Sequence, residues 1–363
     1  MSIPRGIRSL LSLAVPQLRN QPRLCYVAPF VNWVLDWEAY YITRHVQEQF
    51  GLQATVVKSL KNISGQIVHY GSLWDILANI DSKYSKRNTI IGTVFHGLIE
   101  SPDFHSALQK VLSSQDRFAR LHTASTIMYD RLIQWGVPKE KLVAIPLGVD
   151  LERFGPPTKE ERSQLRHELG IPEGAFCIGS FHKDGQGMAE GLTPKLIKGP
   201  DILLEALTET YRLHKNIFVL LTAPARGFVK KGLDAAGIPY VHVREEDFHR
   251  IPRLFHALDA YLLASREEGG PKGVLEALAS GVPFVGTRVG MVPDVVTDES
   301  DGLLTKIEDP VGLAERVSRL IEDPGLRERL SSNGLKRIQD FGWPVIAGRY
   351  YRELYEPLLP MLK

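Results

Sequence analysis

Apolar and polar positions alternate along this chain in blocks of two kinds. Short apolar runs of strand length occupy residues 24–30, 54–57, 67–69, 89–94, 176–180, 217–222, 240–243, 257–264 and 283–286, and they predict buried strands. Stretches with helical spacing lie between them. Residues 38–50 bring Tyr41, Val46 and Phe50 onto one face and stop at Gly51; residues 123–135 read as a strand end and a helix; residues 202–213 and 274–280 are further helices. The tail, 345–359, carries Tyr350, Leu354 and Leu358 at helical spacing. Strand–helix alternation of this kind predicts an α/β fold of parallel strands joined by crossover helices, a doubly wound sheet. Ligands of such sheets bind beyond the carboxyl ends of the strands.

At 363 residues the chain is long for one core and suits two domains. Its 44% apolar and 24% charged residues are those of an ordinary globular protein. A net charge of +2 gives no argument for nucleic acid as a partner. Cys25 and Cys177 fall in predicted strands far apart in sequence and read as small core residues of a reducing compartment. The expected location is therefore the cytoplasm. No apolar run approaches the roughly 20 residues that span a bilayer. Arg5, Arg8, Arg19 and Arg23 meet no acidic partner before Asp36, and residues 10–15 form a short apolar patch ended by Pro16. Three readings stay open for this segment: a signal peptide, a basic amphipathic stretch lying on the inner face of a membrane, or a frayed extension.

The stretch from Ala264 to Asp294, ASREEGGPKGVLEALASGVPFVGTRVGMVPD, is the most informative. An apolar run ends at Ser265–Glu268, the glycine-rich loop Gly269, Gly270, Pro271, Lys272, Gly273 follows, and a helix begins at Val274 and stops at Gly281. Strand, glycine loop and helix N-terminus together make a phosphate-binding arrangement, because free backbone N–H groups and the helix dipole point at the loop's occupant. Glu268 stands before the loop and Glu276 lies about one turn into the helix, where a carboxylate can accept bonds from a vicinal diol. A glycine-rich turn beside two solvated glutamates is the bland alternative, and the glycines alone do not decide between them.

The whole string resembles the E-x7-E signature of retaining glycosyltransferases of the GT-B fold, family 4 type, here Glu268-x7-Glu276. Ser265, Leu275, Ala277, the run from Ala279 to Pro283, Gly290 and Asp294 extend the likeness. The stretch LVAIPLGVDLERF, ending at Phe154, is similar to the hinge that closes the family's N-terminal domain. The resemblance implies two Rossmann-like domains facing across a cleft. Residues 1–153 plus the last helix, 345–363, would form the acceptor side, with that helix crossing back, and residues 154–344 would bind a nucleotide sugar.

By the same resemblance, Lys198 with Gly199 would clamp the donor diphosphate, Glu268 would meet the sugar hydroxyls and Glu276 the ribose diol. His96, past a strand end, is similar to the loop histidine that contacts the donor sugar, although a lone histidine is as a rule structural or merely exposed. Backbone near Val243 and Arg244 would meet the base. Where the family often has Gly-Gly after its first strand, this chain has Val31, Asn32 and Trp33. Trp33 and Trp37 could stack on a sugar or pack the first helix, so Asn32 and Trp33 are acceptor-side candidates. Ser180 stands where an arginine is expected, and an insertion carrying Lys183 and Lys195 leads to Lys198. Either extra lysine could replace that arginine; each also fits a solvated loop.

The expected activity is transfer of a sugar, with retention, from a UDP- or GDP-linked donor to a glycan, lipid-linked sugar or small-molecule hydroxyl. The resemblance implies no metal and no cofactor: Asp298–Asp301 before Gly302 reads as a surface turn. A nucleotide-sugar epimerase or hydrolase, and an inactive glycan-binding protein on the same scaffold, are the alternatives.

Overall fold

The computed structural model describes residues 23–29, 34–245 and 247–362. The basic N-terminal segment through Arg19, together with Asn32 and Trp33, lies outside the described residues. The chain divides into two compact units, Met1–Gly148 with Gly342–Lys363, and Val149–Phe341.

The first unit is a sheet of six parallel strands in the order β2-β1-β3-β4-β5-β6. They are β1 (Arg23–Val27), β2 (Gln53–Val57), β3 (Ile67–Tyr70), β4 (Thr89–Thr93), β5 (Phe118–Thr123) and β6 (Leu142–Ala144), with helices α1 (Val34–Phe50), α2 (Leu73–Asn79), α3 (Pro102–Ser113) and α4 (Thr126–Gln134) between them. Near-continuous apolar strands such as β3 and β4 are covered on both faces, as parallel sheets require. Trp37 is buried within α1 and tilts against Tyr41, so it is a packing residue.

Three polar side chains at the carboxyl ends of β3, β4 and β5 form a buried chain. His69 Nε2 lies 2.8 Å from Thr93 Oγ1, which lies 3.2 Å from His122 Nδ1. The C-terminal segment completes it, with Tyr355 Oη 2.8 Å from His69 Nδ1 and Tyr350 Oη 3.0 Å from His122 Nε2. That segment is not the single helix expected over 345–359. It runs as α13 (Trp343–Arg349), a π-helical turn Tyr350–Tyr355 and a 3-10 turn Glu356–Met361. Pro357 and Pro360 remove the donors that a continuous helix would need.

The second unit opens with α5 (Lys159–Glu168), whose Thr158 and Glu161 make a reciprocal capping box. Its six strands are β7 (Phe176–Ser180), β8 (Ile217–Leu221), β9 (Tyr240–His242), β10 (Ala260–Leu263), β11 (Phe284–Thr287) and β12 (Leu303–Thr305). The helices are α6 (Pro200–Leu213), α7 (Gly227–Ala236), α8 (Ile251–Phe255), α9 (Lys272–Ala279), α10 (Val292–Val295), α11 (Pro310–Glu322) and α12 (Pro324–Arg337). All pairings are parallel, in the order β12-β11-β10-β7-β8-β9. This is the Rossmann order, and its reversal point lies between β7 and β10. Ile178, Val219, Leu262 and Val285 from the strands pack with Leu203, Leu207 and Val317 from the helices in one core.

The unit boundary falls a few residues before the expected one. Gly148 lies flat on the Trp343 ring, where a Cβ would approach to 2.5 Å, while Val149 N–H donates to Phe341 O at 2.9 Å. Cys25 and Cys177 are free and buried, one in β1 and the other in β7. All five tryptophans of the sequence fall within the residues of the first unit. Among the described residues no helix is long and apolar enough to cross a membrane.

Candidate functional site

The loops leaving β7 and β10 flank the reversal point of the second sheet, and both carry charged residues. After β10 the chain turns through Ser265 to Pro271 into α9. Thr287 Oγ1 holds Ser265 O at 2.7 Å, and Met291 N–H donates to Gly269 O at 3.0 Å. Gly290 takes a left-handed φ of +49°, and a Cβ there would sit 2.5 Å from Gly269 O, so only glycine lets that support approach. Gly273, in the first turn of α9, passes the Tyr261 hydroxyl, where a Cβ would come to 2.2 Å. The helix starts at Lys272, two residues before the expected Val274, and no side chain caps it. Gly269, Gly270, Pro271, Lys272, Gly273 and Val274 thus form a tight turn that leads into a helix N-terminus.

After β7 the chain enters the insertion and returns at Lys198. Gly199 adopts φ +61°, begins α6 and presses against Ala264, whose carbonyl oxygen would be 1.9 Å from a Cβ. Arg266 and Glu267 N–H groups both donate to Ile197 O, at 2.9 and 3.0 Å. The two loops are therefore fastened backbone to backbone. Across the join, Lys198 Nζ donates to Glu268 Oε2 at 2.5 Å, and Ser265 Oγ donates to Glu268 Oε1 at 2.9 Å.

Burial pushes the Glu268 carboxyl up, but the Lys198 ammonium outweighs it and holds the group below its usual value. Glu268 is therefore ionised. Burial also raises Glu276, up to about 7, with Lys272 pulling only weakly the other way. The two carboxylates of one spacing motif thus differ: one is locked as an anion and the other is poised to exchange a proton near neutrality.

Three polar groups here carry no local sequence signal. Arg226, at the start of α7, is fully buried and donates to Ser180 O at 2.6 Å and His182 O at 2.7 Å, with Asp184 3.1 Å away. Burial pushes Asp184 up to about 6 against the pull of Arg226, so it is ionised at neutral pH. Burial, with the nearby Arg226 charge, lowers His182 to about 3, which keeps its ring neutral beside Lys198 O. The Arg226–Ser180 contact spans 46 residues, and no spacing in the sequence announces it.

The remaining candidates lie elsewhere. Val243 and Arg244 follow β9, the edge strand, with Val243 N–H bonded to Leu221 O at 2.9 Å and Arg244 exposed. His96 is exposed just past β4 and belongs to the first unit. Among the described residues no three His, Cys, Asp or Glu side chains gather as a metal site. Asp298 and Glu299 are instead taken up by Arg288, Arg316 and Arg319.

Two parallel six-stranded α/β units, the second with a cation–carboxylate pair at its reversal point, define a protein of the GT-B fold. Residues 192–337 match the family model Glycosyl transferases group 1, a span that holds Lys198, Glu268 and Glu276. D-inositol 3-phosphate glycosyltransferase of Xylanimonas cellulosilytica is 30% identical over 223 residues, 59% of this chain and 51% of that protein. The chain spans about half the length of the curated relatives it matches. Anabaena Alr3699/HepE, solved with UDP, superimposes with a TM-score of 0.74 over 93% of this chain and 100% of that one, at 17% identity. The same protein has been solved with UDP-glucose. Sucrose-phosphate synthase of Thermosynechococcus elongatus gives 0.65 over 89% and 79% of the two chains, at 18% identity.

Proposed function

We propose that this protein is a glycosyltransferase that takes its sugar from a nucleotide-sugar donor, UDP- or GDP-linked, held by the second unit. The observation that carries the reading is the Lys198–Glu268 pair, 2.5 Å apart at the strand-order reversal between β7 and β10, where doubly wound sheets take their ligands. Beside it, the glycine turn and the N-terminus of α9 offer backbone donors to a phosphate. The match of residues 192–337 to group 1 glycosyltransferases supports the same reaction class, and the UDP complexes of a structural neighbour support a nucleotide donor.

In this reading Lys198 exchanges part of its bond with Glu268 for a phosphate oxygen of the donor. Glu268, freed on one side and still held by Ser265, accepts from a sugar hydroxyl. Glu276 binds the ribose diol, and Val243 and Arg244 lie toward the base. His96 is the candidate sugar contact from the first unit, with Asn32 and Trp33 as acceptor-side candidates. The acceptor oxygen forms a bond to the anomeric carbon as the bond to the diphosphate breaks. The acceptor proton passes to a phosphate oxygen, and the nucleoside diphosphate leaves. The charge that develops on that leaving group is met by Lys198 and by preorganised N–H groups, so no metal or cofactor is called on. Retention rests on the E-x7-E pattern. A hydroxyl-bearing glycan or lipid-linked sugar is the proposed acceptor, and the cytoplasm the proposed location.

A thermal-shift screen of UDP-, GDP- and ADP-sugars tests the donor, since a ligand present at 100 times its Kd stabilises the folded state by about 2.7 kcal/mol. One nucleotide series is expected to raise the melting temperature, and NMR of the product should then show the donor's anomeric configuration kept. No stabilisation by any of the three series would sink the reading. Turnover of the donor sugar to its epimer without any acceptor would replace transfer with epimerisation.

A further inference from the structure

The turn that delivers Lys198 is held at every carbonyl. Leu196–Lys198 is a single 3-10 turn, and each of its carbonyl oxygens is taken by a donor from a neighbouring loop. Leu196 O accepts from Arg266 Nη1 at 2.7 Å, and Ile197 O accepts from the Arg266 and Glu267 N–H groups. Lys198 O accepts from His182 Nε2 at 3.3 Å, which places the proton of that neutral ring on Nε2. Arg266 thus supplies a side-chain donor and a main-chain donor to the same turn.

The Arg266 side chain also brackets Lys198 in sequence. Its guanidinium holds Leu196 on one side of the lysine and Asp201 on the other, Nη1 to Oδ1 at 2.7 Å and Nη2 to Oδ2 at 2.8 Å. Asp201 lies in the first turn of α6, and Gly199, at φ +61°, is the pivot between the 3-10 turn and that helix. The fork therefore bridges across the pivot. Its outer edge meets Glu308, Nη2 to Oε2 at 2.9 Å and Nε to Oε1. A guanidinium has five N–H donors in one plane, and these acceptors use all of them. Arg266 has no donor left for a ligand; everything it holds is protein.

We propose that Arg266 is a positioning residue for Lys198, fixing the lysine turn against α6 so that the ammonium stands where the donor's diphosphate arrives. The proposal rests on the nucleotide-sugar reading above. A lysine head group rides on a flexible four-carbon stem, so anchoring its backbone leaves less to order when the phosphate binds. The shape of the fork matters as much as its charge. A planar guanidinium spans a carbonyl and both oxygens of a carboxylate at once, whereas an ammonium at the same place is a compact point charge.

A double-mutant cycle with Lys198→Ala tests the assignment, read by calorimetric titration of the full chain with UDP, GDP and ADP, and with uridine, guanosine and adenosine. For whichever diphosphate binds the unaltered protein, Lys198→Ala and Arg266→Gln should each weaken binding by about tenfold or more and leave the bare nucleoside unaffected. The double variant should bind within about threefold of Lys198→Ala, because Arg266 has nothing to act through once the ammonium is gone. Arg266→Lys should stay within about threefold of Arg266→Gln, since it keeps the charge without the fork. Losses that multiply in the double variant overturn the assignment, as does recovery of full affinity in Arg266→Lys. Unchanged diphosphate affinity in Arg266→Gln removes it and leaves the donor reading standing. Equal losses for diphosphate and nucleoside also remove it, since they would mark a general structural effect. A circular-dichroism melt accompanies each variant, and if Arg266→Gln does not fold, Asp201→Asn, which loosens one end of the fork, carries the same cycle. No loss in Lys198→Ala removes the clamp and the assignment together. If none of the three diphosphates binds the unaltered protein, the donor reading falls and the assignment with it.

Discussion

Lys198 and Glu268 hold one another, so a change to either one exposes the charge of the other. Lys198→Ala removes a preorganised donor from the leaving group, a loss of about 3 to 4 kcal/mol of transition-state stabilisation and hence a drop in kcat of two to three orders of magnitude, without unfolding. Steady-state kinetics beside a circular-dichroism melt checks this. Glu268→Gln should separate binding from transfer: the freed ammonium keeps or improves affinity for the free diphosphate in calorimetry while turnover collapses. Glu276 has a different signature. Its folded-state value of about 7 lies above the ordinary 4.5, so the folded protein binds that proton more tightly than the unfolded chain does. Stability is therefore present below pH 4.5 and is lost as pH rises toward 7, by about 3 kcal/mol in all. Glu276→Gln should accordingly gain stability over the unaltered protein by about 2 to 3 kcal/mol more at pH 8 than at pH 5 in urea melts, and should bind nucleotide less well. A gain that does not depend on pH would show that burial of the charge is not the cause.

At the scale of elements, the turn from Lys198 into α6 depends on Gly199. Gly199→Ala should cost about 3 kcal/mol or more, because the left-handed φ costs roughly 1 to 2 and the methyl group would overlap the Ala264 carbonyl. Gly237→Ala provides the control: its φ of +64° is similar and nothing lies within 4 Å, so the conformational cost alone, about 1 kcal/mol, should appear in denaturant melts. Equal losses would mean that the close approach to Ala264 carries no weight. Elements with a strong local pattern were legible in the sequence. β7 was read to the residue, and the glycine turn between Glu268 and Glu276 lies where the spacing put it. Short or tertiary features were not. β12 is three residues after a surface turn, and its strand character comes from pairing with β11. α1 begins at Val34, a turn before the apolar spacing starts, and burial within it begins only at Trp37. Arg226, Asp184 and His182 find one another only through the folded insertion, and the split of the tail into three helical forms follows from two prolines that periodicity overlooks.

The two units of the whole molecule have different acid chemistry. In the first, burial keeps His69 well below its ordinary value, helped by the nearby His122, and burial lowers His122 to about 4 in spite of its bond to Ile145 O. A histidine depressed in this way contributes stability that is fully present above pH 6.5 and is lost as pH falls toward 4, about 3 kcal/mol for His122 alone. In the second unit Glu276 and Asp184 are both raised by burial, and acidification favours them, while His182, lowered to about 3 by burial, works the other way. Between pH 6.5 and 4 the first unit should therefore lose stability through His122, and His122→Gln should flatten that loss in acid titrations. An acid loss of the same size in His122→Gln would contradict this. The chain is already supplied with probes for such titrations. Among the described residues every indole lies in the first unit, and each unit keeps one thiol in a sheet, Cys25 pushed up by burial to about 11 and Cys177 to about 12, both inert while covered. Fluorescence then follows one half of the polypeptide, and alkylation of Cys177 times the exposure of the other, so each half carries its own native chromophore or clock without an added label.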